Sequence, residues 1–74
     1  MNEMIRTWLK AMLETERAAE LAAVANEETW ADGANGPETQ AMHKANAANH
    51  QAYADLLLKL AEKADEPGWL EALR

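Results

Sequence analysis

The apolar positions of the first thirty residues recur at helical spacing. At 100° per residue, Met4, Ile5, Trp8, Leu9 and Met12 share one face. That face continues as Thr15, Glu16, Ala19, Ala22, Ala23 and Asn26 and closes on Trp30, so it is bulky first, then small and partly polar. Leu13, Leu21 and Val24 lie off its edge and need a second neighbour to cover them. The pattern predicts a helix over about residues 3–31. Asn2 is its expected N-cap, with Glu3 at the positive helix end.

The stretch "ADGANGPE" ends that helix. Gly33 suits a left-handed position just past it, Asn35-Gly36 a turn, and Pro37 the first position of a new helix. A loop this short, residues 32–36, makes the two helices antiparallel neighbours. The second helix is predicted over about 37–64 and carries two parallel seams, each stepping by four and three. One is Met42, Asn46, Asn49, Tyr53, Leu56 and Leu60; the other is His43, Ala47, His50, Ala54, Leu57 and Ala61. Pro67 in "DEPGW" stops it, and residues of about 67–74 are expected to form a short last helix. Its Trp69, Leu70 and Leu73 would fold back over the open end.

The expected architecture is therefore all-α. A single helical domain spans 1–74, an antiparallel hairpin of two long helices plus a short C-terminal helix. Dimerisation into a four-helix bundle is the expected way to cover both open seams.

Pairing about the loop places positions whose numbers add to roughly 69 opposite one another. Ile5, Trp8, Leu9 and Met12 would meet Leu56, Leu57, Leu60 and Ala64. The thin half of the first helix would meet Tyr53, His50, Asn49 and Asn46. Glu16, Asn26, Asn46, Asn49, His50 and Tyr53 thus gather as a polar group in the loop-proximal half. Three readings of it stay open: side chains half-exposed because a hairpin is narrow, a buried network that fixes register, or a ligand site in a pocket left by alanines. Leu13, Leu21, Val24, Trp30 and His43 are the residues expected to face a partner.

Composition tightens this picture. Of 36 hydrophobic residues 17 are alanine, which favours helix but buries little area. With no Phe, one Val and one Ile there is almost no strand signal. The net charge of −6 is spread along the chain without a basic stripe, which argues against nucleic acid and anionic membranes as partners. No apolar run reaches the roughly 18 residues of a membrane span, and the first residues lack a signal-peptide pattern. The expectation is a soluble cytoplasmic or recombinant protein.

Candidate chemistry is sparse. His43 and His50 are seven apart, so they rise about 10.5 Å along one helix face and cannot share one metal ion within a chain. Neither has a Glu three residues before it, so the di-iron Glu-x-x-His pattern is absent. His50 with Glu16 could be a base and its orienting acid, but there is no cysteine and no serine to serve as nucleophile. No catalytic residue, cofactor or metal is expected.

The helix stop-and-restart units "NGPE" and "DEPGW", with the segment "LLLKLAEKADEPGWLEALR", resemble the style of computationally designed helical proteins. That resemblance implies a binding or assembly protein rather than a metabolic enzyme. The expected function is a non-catalytic interaction module, self-associating or docking on a protein partner. The alternative is a small-molecule- or metal-binding bundle centred on His50.

Overall fold

A computed structural model of the chain describes residues 2–66 and Gly68. Two helices make up nearly all of it, α1 over Asn2–Asp32 and α2 over Pro37–Ala64. They pack antiparallel as a rod with extents of 53 × 17 × 14 Å. The short helix expected over about 67–74 lies outside the described residues.

The turn between the helices departs from expectation at Gly33. Its N–H donates to the Thr29 carbonyl at 3.2 Å, and the Ala34 N–H to the Ala31 carbonyl at 3.3 Å. The right-handed winding therefore persists through Gly33, which does not take the left-handed conformation expected of it. The chain reverses later, at Gly36, whose extended backbone (φ −165°, ψ 161°) precedes Pro37 at the start of α2. The Gly36 carbonyl then accepts the Gln40 N–H at 3.0 Å, closing the first turn. A methyl group on Gly33 would sit 3.8 Å from the Thr29 carbonyl oxygen, an ordinary contact. Gly33→Ala should therefore stabilise the protein by about 0.4–1 kcal/mol through loss of unfolded-chain freedom. A lowered thermal midpoint would contradict the right-handed assignment. At the other end Asp65 caps α2, and Gly68 (φ 78°) takes the left-handed conformation that glycine tolerates.

The helices meet along one heptad-spaced seam each. On α1 it runs through Arg6, Lys10, Leu13, Arg17, Glu20, Val24, Glu27 and Ala31, with Leu9, Leu21 and Ala23 half-covered beside it. On α2 it runs through Gln40, His43, Ala47, His50, Ala54, Leu57, Ala61 and Ala64, with Asn46 half-covered beside it. The second of the two seams read on α2 is thus the one that faces α1. Its alanines let the backbones approach, so Ala54 is fully covered while Leu57 and Val24 fill the remaining space. The arginines contribute mainly their stems; Arg17 Nε is covered without a hydrogen-bond partner.

The expected meeting of the bulky faces occurs only in part: Leu57 and Ala64 are buried and Leu9 is half-covered, but the other members stay outside the seam. Trp8 is 62% exposed, and Ile5, Met12, Tyr53, Leu56 and Leu60 are exposed as well. Each lies on a strip next to the seam, rotated by about 100° from it. Both strips precede their seams in sequence, and the helices run in opposite directions, so both fall on the same side of the hairpin. The two bulky faces stand side by side as one surface instead of opposite each other. The other side carries mostly charged and small residues, among them Glu28, Asp32, Lys44, Ala48 and Gln51 around a shallow open groove of about 500 Å³.

Candidate functional site

The polar chemistry of the chain concentrates in two rungs that cross the seam. His43 Nδ1 lies 2.6 Å from Glu27 Oε2, and His50 Nδ1 lies 2.5 Å from Glu20 Oε2. The two glutamates are a heptad apart on α1 and the two histidines a heptad apart on α2, so the same rung occurs twice, about 10.5 Å apart. In each, a ring N–H donates to a carboxylate. The His43 and Glu27 side chains are only 19% and 22% exposed, so water screens them incompletely.

The loop-proximal rung is the more elaborate. Trp30 stacks on His43 with ring centroids 6.2 Å apart and planes 23° from parallel. His43 holds the Glu27 carboxyl below the ordinary carboxylate range by its hydrogen bond, against the upward push of burial, and a hydrogen bond from Asn46 assists. A carboxylate depressed on folding adds stability that is complete above its unfolded value, about 4.3, and is lost as pH falls through the folded value. The stability gap between the parent and Glu27→Gln should thus be full near pH 6 and close below about pH 4. Denaturant titrations at both pH values check this; a gap that is as large in acid would place the effect elsewhere.

The sequence-derived polar group is only partly brought together. His50 takes Glu20 as its partner, and Glu16 is exposed on the apolar side. Asn46 joins Glu27, whereas Asn26, Asn49 and Tyr53 are exposed on the same side as Trp8 and Leu60. Of the residues expected to face a partner, Leu13, Val24 and His43 lie instead in the seam of their own hairpin, with Leu21 half-covered beside it. That follows from the same rotation of about 100°. Trp30 remains 66% exposed. Glu20 and Glu27 were missed, although their seven-residue spacing matches that of the histidines and their pairing sums come to about 70.

Chemically the rungs are suited to fixing register. A slip of one heptad would keep only one Glu–His pair and leave one carboxylate and one imidazole facing apolar or empty positions. Among the described residues no three His, Asp or Glu side chains converge as a metal site, and no helix is long and apolar enough to cross a membrane. Comparison with protein-family models, characterised proteins and solved structures found no match.

Proposed function

We propose that this protein is a non-catalytic helical interaction module whose working surface is the apolar side of the hairpin. The observation that supports this is the rotation of the helices. The seam holding them together is made mostly of alanines and polar rungs, with Leu13, Val24 and Leu57 among them, while Ile5, Trp8, Met12, Leu56 and Leu60 are left outside it. Monomeric proteins rarely leave so much contiguous apolar surface uncovered. A protein surface is the expected cover, a second copy of the chain foremost, giving a four-helix bundle. The alternative centred on His50 has less support, because the Nδ1 of that ring is already engaged by Glu20.

The test is the mass in solution across a concentration series. Self-association predicts a dimer and a thermal midpoint that rises with protein concentration. A single-chain mass at high micromolar concentration with concentration-independent melting would overturn it.

A further inference from the structure

The apolar side is not uniform along the rod, and its order constrains how a second copy can sit. Near the loop it carries Trp30 and Met42, both more than half exposed. A polar middle section follows, with Asn26, Asn46 and Asn49. The open end carries Ile5, Met12, Leu56 and Leu60.

The surface area of the chain points to a second copy as the occupant. Its accessible surface is 5528 Å², against about 4,500 Å² for a compact monomer of 8.2 kDa. The excess, about 1,000 Å² per chain, amounts to about 2,000 Å² over two copies, the area of a stable interface. A closed pair related by a two-fold axis hides that excess on both copies at once.

Two arrangements face the apolar sides together. If the loops sit at opposite ends, the asparagines of one copy meet Met12, Leu56 and Leu60 of the other. The exposed amides of Asn26 and Asn49 would then be covered without partners. The same arrangement brings the midpoints of the two α1 helices together, and with them the two Glu16 carboxylates. If the loops sit at the same end, each level meets its own kind. The asparagines face asparagines, which can exchange hydrogen bonds, the apolar ends face each other, and Glu16 comes level with the Tyr53 hydroxyl of the other copy.

We infer that two copies pair face to face with their loops at the same end, about a two-fold axis running along the rod, and that Asn26, Asn46 and Asn49 set this alignment. This rests on the self-association proposed above. The chain contains no cysteine, so Asn35→Cys in the loop gives a single site for a nitroxide label. Dipolar distance measurement on the labelled full chain then separates the cases. Loops at the same end give label separations of about 10–25 Å, set by interaxial distances of about 10 Å and the reach of the label. A separation near the 53 Å length of the rod would overturn the alignment while leaving dimerisation intact. Absence of any dipolar coupling at high protein concentration would remove the second copy itself. Glu62→Cys, near the open end and exposed on the outer side, repeats the measurement and should give a separation well below the length of the rod, against one near it if the loops sit at opposite ends.

Discussion

Leu57→Ala should cost about 2–5 kcal/mol of stability, the loss expected when a large aliphatic side chain is cut back inside a close-packed seam. Leu57 is 5% exposed and is the largest side chain among the buried residues described. Its neighbours along the seam are alanines on α2, which cannot move in to fill the space. A chain of this length has a total stability of roughly 4–11 kcal/mol, so the substitution would consume much of it. Urea titration should show a lower midpoint with an unchanged slope. A loss under about 1 kcal/mol would mean that the helices do not meet through this seam.

Leu60→Asp should separate the two copies with little effect on a single hairpin. Leu60 is 43% exposed, so a carboxylate there stays largely hydrated in the isolated chain. In a face-to-face pair the two-fold axis applies the change twice, burying two charges without partners. At about 2 kcal/mol each, dissociation should rise roughly a thousandfold. Leu58→Asp is the control, because Leu58 is similarly exposed but lies on the opposite side of the rod. Sedimentation equilibrium of the two variants decides the matter. If Leu58→Asp dissociates the protein and Leu60→Asp does not, the wrong side has been assigned as the interface.

The elements themselves were legible in the sequence. Asn35-Gly36-Pro37 and the Asp-Glu-Pro-Gly stretch punctuate the chain with residues whose backbone preferences are strong, and α2 runs over the predicted Pro37–Ala64. Register was legible too, because a four-residue connection leaves little freedom in which residues come level. Rotation about the helix axes was not. The bulkiest strip of each helix was expected to turn inward, a rule that holds when a helix has one core to face. A two-helix hairpin offers a single narrow seam, and small residues filled it better. The partner of His50 shows the result: turning α1 by about 100° puts Arg17 into the seam in place of Glu16, and Glu20, one turn farther on, reaches the ring. Of the three readings left open for the asparagines, half-exposure is the one that fits Asn26 and Asn49, which are exposed, and Asn46, which is half-covered.

The cross-links between the helices span very different lengths of chain. Glu27 and His43 are separated by 16 residues, Glu20 and His50 by 30, and Lys10 and Asp65 by 55. Each near-doubling of the enclosed length adds only about 0.6 kcal/mol of closure entropy, but only if the shorter loop has not already been closed. Once the rung nearest the turn is made, every later contact is local to the one before it. The hairpin should therefore zip from the turn outward in a fast, low-contact-order process. Amide protons near Lys10 and Glu62 should exchange first and those near Glu27 and His43 last, in the reverse order of closing.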